Sequence, residues 1–390
     1  KYCLELHYDA AQLTPQLSCP QGVDNVHPLG QVEGTPVNEV YIGSCTNGSL
    51  DDMAVAAHIL HGRHAAPYVR LVIIPASLHI YKECIRLGYL EDFVRAGAMV
   101  CHPCCGLCCG QPYYEHRLVG GCCIDAHGVP IEDETLKVCA GCDAILFGAA
   151  GGPKWDHLPR KDRPESGLAA LRRTFNLFCN LRPAKIYEDI RDNSPLKNEI
   201  IDKGVDLMLI RDLTGGIYFG EKGTRQGKYG IEGYDVECYS AFEVERVAKR
   251  AFEIARGRRN SVTSIDKSNA LESSRMWRET VTRVHDADYP DVELTHLLVD
   301  KAAMEIACNP SRFDVMLTTS IFGDILSDEA GVTTGSVGML ASAAINDKNF
   351  GLYEPIHGTA PDIAGKGIAN PLASIAAVGM MLDIAFGLKE

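Results

Sequence analysis

Apolar positions along this chain keep two rhythms, short unbroken runs and stretches at helical spacing, and the two alternate. Val40-Tyr41-Ile42 reads as a strand and is closed by the small polar segment Gly43-Ser44-Cys45-Thr46-Asn47-Gly48. Val69 to Ile74 predicts a buried strand, and Leu78 to Leu87 a helix. Further on, Ala144 to Phe147 is a short apolar strand that ends in the glycine-rich turn from Gly148 to Gly152. Ser240 and Glu243 form a capping-box pattern, and Val244, Val247, Ala248, Ala251 and Ala255 follow on one helical face. Gly257 stops that helix, and the β-branched run from Ser261 to Asp266 predicts the next strand. A strand from Asp314 to Thr319 leads into a helix on which Asp324 and Asp328 share a face. Strand, helix and glycine signals in this order predict an α/β architecture, and no repeat or low-complexity segment interrupts it.

A chain of 390 residues, 46% hydrophobic and 23% charged, suits two or three globular domains. Its formal charge of −13 argues against nucleic acid or an anionic membrane as partner, so a small anionic substrate needs a local arginine cluster. The longest apolar stretch, Ser374 to Leu388, is broken by Asp383 and is too short to span a bilayer. No charged-then-apolar leader opens the sequence, which makes the cytoplasm the expected location. Sixteen cysteines in so long a chain read as free or metal-bound thiols rather than as a disulfide scaffold. Most of them lie at or before Cys142, and that unevenness points to a boundary.

Two stretches carry recognisable chemistry. Residues 357 to 370, His-Gly-Thr-Ala-Pro-Asp-Ile-Ala-Gly-Lys-Gly-Ile-Ala-Asn, form a small-residue loop that lets a dinucleotide approach the backbone. It is neither a Walker A loop nor a Gly-x-Gly-x-x-Gly turn, since the glycines are wrongly spaced and Gly367 stands where a hydroxyl should bind magnesium. On its own such a stretch is an ordinary surface loop more often than a cofactor site. The second is Cys105-Gly106-Leu107-Cys108, 60 residues beyond Cys45, a spacing shared by zinc, redox and cluster sites.

With the blocks Gly151-Gly152-Pro153-Lys154-Trp155, Asn180-Leu181-Arg182-Pro183-Ala184-Lys185, Thr214-Gly215-Gly216-Ile217-Tyr218-Phe219-Gly220-Glu221 and Phe322-Gly323-Asp324-Ile325-Leu326-Ser327-Asp328, the loop completes a set. From about Arg117 to Glu390 the chain resembles the isocitrate/isopropylmalate dehydrogenase family, on its isopropylmalate side. The resemblance implies a two-domain α/β fold, with residues 113–178 and 332–390 in a dinucleotide-binding domain and 179–331 in a substrate, metal and dimerisation domain. It implies NAD-dependent oxidative decarboxylation of 3-isopropylmalate to 4-methyl-2-oxopentanoate, a step of leucine biosynthesis, with Mg²⁺ or Mn²⁺ and a homodimer. It also implies that the strand and loop with which the family begins, and the elements after Leu388, have no counterpart here. Unpairing a buried parallel strand costs several kcal/mol against a total stability of about 5 to 15, so something must fill that gap.

By this resemblance Arg172, Arg182 and Arg211 hold the substrate carboxylates, for which planar guanidinium forks are suited. Glu165, Leu168, Ala169 and Ala270 receive its branched tail, and the two alanines are smaller than usual, so the pocket is roomier. Asp324 and Asp328, with Asp300 from a second subunit, supply hard oxygens to the divalent ion; Lys301 beside Asp300 departs from the usual neutral residue. Tyr218 and Lys267 move protons, Lys267 across the subunit interface. Glu354, His357, Gly358, Ala360, Pro361, Asp362, Ile363 and Asn370 contact the dinucleotide, where Asp362 accepts from a ribose 2′-hydroxyl and repels a 2′-phosphate, favouring NAD.

Residues 1 to about 112 resemble a fragment of the 3-isopropylmalate dehydratase large subunit, in the aconitase family. That implies an aconitase-like α/β piece in which Cys45, Cys105 and Cys108 hold a 4Fe-4S cluster with one iron open. Cys101, Cys104 and Cys109 crowd the motif, and a fourth thiolate closes the site or recruits zinc. Three readings therefore stand: a dehydrogenase with an inert appendage, an iron-sulfur or zinc module on a dehydrogenase scaffold, and a non-catalytic chimera.

Overall fold

A computed structural model of the chain describes residues 16–19, 25–103 and 115–388. They divide into two compact units, Lys1–Glu115 and His116–Glu390.

In the first unit β1 (Gln16–Ser18) and β2 (Val26–Pro28) pair antiparallel ahead of a single turn of helix, α1 (Leu29–Val32). Three parallel strands follow: β3 (Glu39–Gly43), β4 (Arg70–Ile74) and β5 (Met99–Val100). Between β3 and β4 run α2 (Ser44–Asn47) and α3 (Leu50–Leu60), and between β4 and β5 run α4 (Leu78–Arg86) and α5 (Tyr89–Arg95). Ser49 caps α3 through a capping box with Asp52, and Ser77 caps α4. Met53 and Ala57 of α3 and Phe93 of α5 bury against Leu71 and Ile73 of β4, a small core in which the alternation of elements read from the sequence is realised.

The second unit opens with α6 (Gly121–His127) and α7 (Asp133–Ala140) before β6 (Ile145–Leu146) and α8 (Pro164–Thr174). Then come β7 (Cys179–Lys185), α9 (Asn198–Ile201), β8 (Asp206–Asp212) and a hairpin of β9 (Lys222–Gly227) with β10 (Gly230–Asp235). The chain continues through α10 (Ala241–Arg256), β11 (Ser261–Asp266), α11 (Glu272–Asp288), β12 (Glu293–Leu298), α12 (Val299–Cys308), β13 (Val315–Thr318) and α13 (Ser320–Thr333). It ends in β14 (Ala341–Ile345), β15 (Gly351–Pro355) and α14 (Leu372–Ile384).

Eight of these strands form one mixed sheet in the order β12-β11-β13-β8-β7-β14-β15-β6. Strands β12, β11, β13 and β8 run parallel, whereas β7 and β14 bring antiparallel pairing into the middle. Successive side chains take opposite faces, as the pleat requires. Ile210, Val262, Val315 and Leu317 pack under α10 and α11 with Val247, Ala251, Trp277 and Val281. Leu207, Leu209, Ile265 and Met316 pack under α12 and α13 with Ile306, Leu326 and Ala330. The expected strand Ser261–Asp266 and the capping box at Ser240 are both present. The strand expected over Ala144–Phe147 shrinks to two residues, because the chain leaves the sheet at the Gly148 turn. Val40–Ile42 pairs with β4 in the three-stranded sheet, and β6 stands at the end of the eight-stranded one, paired only with β15 among the described residues.

Candidate active site

The guanidiniums and carboxylates picked out from the sequence meet where β7, β8 and α13 converge. Register places Asn180 of β7 opposite Arg211 of β8, and α13 begins just beyond β13, the other neighbour of β8. Arg211 donates through Nη1 to Asp324 Oδ1 at 2.6 Å and through Nε to the Ser320 carbonyl at 2.7 Å. Arg182 lies 3.4 Å from Asp324 and 3.8 Å from Asp328, the next acid along the same helical face. Arg172, on α8, donates to Glu354 of β15 at 2.7 Å, while its buried Nε has no hydrogen-bond partner among the described residues.

Packing cations this closely has an electrostatic signature. Burial, then the neighbouring Arg182 cation, pushes the Arg211 guanidinium down to about 10, with Asp324 opposing the shift. Arg182 is lowered in the same way, first by burial, with Asp324 and Asp328 opposing. The site is therefore poised for further negative charge. Tyr218, in the turn after β8, donates to Asp324 Oδ2 at 3.0 Å, and its phenol is raised by burial first and by the Asp324 charge second.

Beside this cluster is a cleft of about 160 Å³ lined by Gly148, Ala149, Ala150, Glu165, Leu168, Arg172, Arg182, Ser342, Glu354, His357 and Gly358. Small residues on the 148–150 turn and open space at Gly358 leave the backbone accessible there. Ala360, Pro361, Asp362 and Ile363 continue as an exposed turn, in which Ala360 takes the left-handed conformation at φ 42°. Asn370 lies further along, its Oδ1 accepting from the Leu372 amide at 3.0 Å.

Some expected members sit elsewhere. Lys267 and Asp300 form their own ion pair at 2.5 Å, and hydrogen bonding from Lys267 holds the Asp300 carboxyl below its usual range. Among the described residues no three His, Cys, Asp or Glu side chains group as metal ligands, so one chain does not bring Asp300 to Asp324 and Asp328. Ala270 is exposed three residues beyond Lys267, and Ala169 does not line the cleft. Cys45 is exposed at the start of α2, and Cys105 and Cys108 lie outside the described residues.

Sequence reasoning also missed supporting residues. Arg182 is held by Asn180 Oδ1 at 2.8 Å and Ser327 Oγ at 2.6 Å, and Asn180 in turn donates to Ser342 Oγ at 2.7 Å. The signals were present: Asn180 shares a strand face with Arg182 through the period of two, and Ser327 sits one turn after Asp324. Asp212, fully buried, accepts the amides of Thr214 and Gly215 and fixes the turn leading to Tyr218.

Residues 111–390 match the isocitrate/isopropylmalate dehydrogenase family, and residues 1–117 match the aconitase family (aconitate hydratase). The chain belongs to the isocitrate/isopropylmalate dehydrogenase family. Within it, a 3-isopropylmalate dehydrogenase from Clostridium acetobutylicum is 57% identical over 272 residues, covering 70% of this chain and 76% of the relative. Another from Halalkalibacterium halodurans is 55% identical over 278 residues, covering 71% and 76%. Among solved structures, isocitrate dehydrogenase from Methylococcus capsulatus superposes with a TM-score of 0.60 at 27% identity, covering 89% of this chain and 85% of that one. A β-decarboxylating dehydrogenase from Thermococcus kodakarensis gives 0.57 at 30% identity, covering 82% and 84%.

Proposed function

We propose that this chain catalyses NAD-dependent oxidative decarboxylation of 3-isopropylmalate to 4-methyl-2-oxopentanoate, the leucine-biosynthetic step after which its relatives are named. The observation that carries this reading is the cluster of Arg172, Arg182 and Arg211 with Asp324, Asp328 and Tyr218, beside a cleft lined by residues of the 357–370 loop. Guanidiniums this buried attract a dicarboxylate strongly, and the unpartnered Nε of Arg172 is a donor available to it. Glu165 and Leu168 face the same cleft, where the branched tail is to be received.

The donor chemistry fits the two groups the family uses. Asp324 and Asp328 offer hard oxygens suited to Mg²⁺ or Mn²⁺, with Asp300 as third ligand from a second copy. Glu354, His357, Gly358 and Asp362 suit NAD, Asp362 through a ribose hydroxyl. When bound, the ion supplies charge stabilisation at the 2-oxygen and adjacent carboxylate, and the dinucleotide accepts hydride. The arginines orient the carboxylates. Lys267 of a second copy takes the hydroxyl proton, and Tyr218, whose raised pKa keeps it protonated, delivers a proton to the carbon that loses carbon dioxide.

Dimerisation is part of the proposal. The β9–β10 hairpin is a sheet of its own, with Tyr229 and Ile231 exposed, and Met304, Ile325 and Val332 leave apolar surface on α12 and α13. No described helix is long and apolar enough to cross a membrane. The test is NADH formation from 3-isopropylmalate and Mn²⁺, run beside Lys267→Ala. Equal rates in both would remove the catalytic assignment.

A second reading rests on the first unit. Cys45 follows β3 and Cys101 follows β5, and because both strands run parallel to β4 between them, the two cysteines stand at the same, carboxyl, end of the sheet. With Cys105 and Cys108, such thiols suit an iron-sulfur cluster or zinc. Brown anaerobic protein with stoichiometric iron supports a cluster, stoichiometric zinc supports the alternative, and metal-free thiols count against both.

A further inference from the structure

Behind the guanidinium–carboxylate cluster, one buried tyrosine joins segments that the candidate site draws from different parts of the chain. Tyr239, just before α10, is 7% exposed. Its hydroxyl donates to Ser320 Oγ at 3.1 Å and accepts the Ser320 amide at 2.7 Å. Ser320 opens α13, and the preceding Thr319 provides no side-chain cap, so the phenol satisfies an amide that a helix start leaves open.

From Ser320 the connection runs in two directions. Its carbonyl accepts Arg211 Nε at 2.7 Å, and Arg211 reaches on to Asp324 at 2.6 Å. On the other side the turn that carries Tyr218 presses against the hydroxyl pair. A Cβ on Gly216 would lie 2.4 Å from the Tyr239 oxygen and 2.5 Å from Ser320 Oγ, and this glycine has φ +79°. The Gly216 amide also donates to the Cys238 carbonyl at 2.9 Å, tying that turn to the residue before Tyr239. Tyr218 closes the circuit by donating to Asp324.

We propose that Tyr239 is a positioning residue, whose single hydroxyl sets the start of α13 against Arg211 and the Tyr218 turn and so fixes the mutual placement of Arg211, Asp324 and Tyr218. As a statement about turnover this rests on the dehydrogenase reading; as a statement about placement it does not. The ring itself packs edge-on to Trp277 at 5.3 Å, and phenylalanine keeps that contact. Tyr239→Phe thus removes the hydroxyl while sparing the core.

The experiment compares the full chain with Tyr239→Phe, Ser320→Ala and the control Tyr289→Phe, whose ring stacks on Phe252 away from this circuit. Far-ultraviolet circular dichroism and urea unfolding verify that each variant is folded. We expect Tyr239→Phe to lower kcat by about 10- to 100-fold, as small misplacements of reacting groups do, with KM for NAD unchanged. Ser320→Ala should fall in the same direction, and Tyr289→Phe should match wild type. Amide exchange should quicken together in residues 213–220 and 320–324. Wild-type kcat per folded molecule in both Tyr239→Phe and Ser320→Ala would overturn the proposal. If wild type itself does not turn over 3-isopropylmalate, the reaction assignment falls, and exchange alone decides: joint quickening upholds the positioning role, unchanged exchange ends it.

Discussion

A phenol that faces a carboxylate resists ionisation, and Tyr218 faces Asp324 at 3.0 Å. Its pKa is raised by burial and by that charge, so the proton is held to higher pH than the value of about 10 for a free tyrosine. The ultraviolet difference titration between wild type and Tyr218→Phe should therefore fall above that value. The same difference measured on an Asp324→Asn background should move back down; no movement would mean that Asp324 does not tune the phenol. Cys179 gives a second prediction with a definite sign. Complete burial raises its thiol from 9.0 to about 12, so between those values the unfolded chain loses a proton that the folded chain keeps. Its contribution to stability is whole below pH 9.0 and is lost as the pH rises toward 12. Urea unfolding of wild type should weaken more steeply across that window than unfolding of Cys179→Ala, and parallel curves would contradict it. At this scale the sequence disclosed the ends of the network, because Arg182, Asp324 and Asp328 belong to local motifs and the family resemblance added Arg211. Tyr239 was hidden: nothing within its own segment signals that it meets Ser320, 81 residues away.

Elements followed the periodicity wherever one face is buried. Helix α10 carries its capping box and its stripe of Val244, Val247, Ala248 and Ala251, and β11 spans the expected residues, since tertiary packing and local pattern agree there. The hairpin β9–β10 offered no such signal, as its strands are mostly polar and glycine-rich and bury no core face. Helix α14 is the opposite case. Its sequence is apolar nearly all round, as in a helix covered on every side, yet only Ala373, Ala377 and Met381 are buried. Ile375 is 59% exposed and, with Leu146 of the edge strand β6, lines a shallow apolar cleft. Ile375→Lys should change folding stability by no more than about 0.5 kcal/mol, as surface substitutions do, while lowering light scattering at high concentration. Ala377→Leu, set in a filled core, should cost about 1 to 3 kcal/mol. A large loss of stability from Ile375→Lys would show that this face is covered in solution.

For the whole molecule, the decisive question is how many chains build one site. Lys267 and Asp300 pair with each other, while Arg182, Arg211 and Tyr218 gather around Asp324, so one chain carries two incomplete halves of the proposed machinery. The proposed two-fold dimer would resolve this, because an isologous contact can place the first half of each copy against the second half of the other. Mixing inactive variants tests it directly. Lys267→Ala spoils the half it lends, and Asp324→Asn spoils the half it keeps. In a mixed dimer one site inherits both defects and the other inherits none. Refolded together in equal amounts, half of the dimers are mixed and each has one sound site of two, so activity should return to about a quarter of wild type. Each variant refolded alone should stay inactive. If the mixture stays inactive although mixed dimers form, the site does not borrow Lys267 from a second copy, and the interfacial arrangement is wrong.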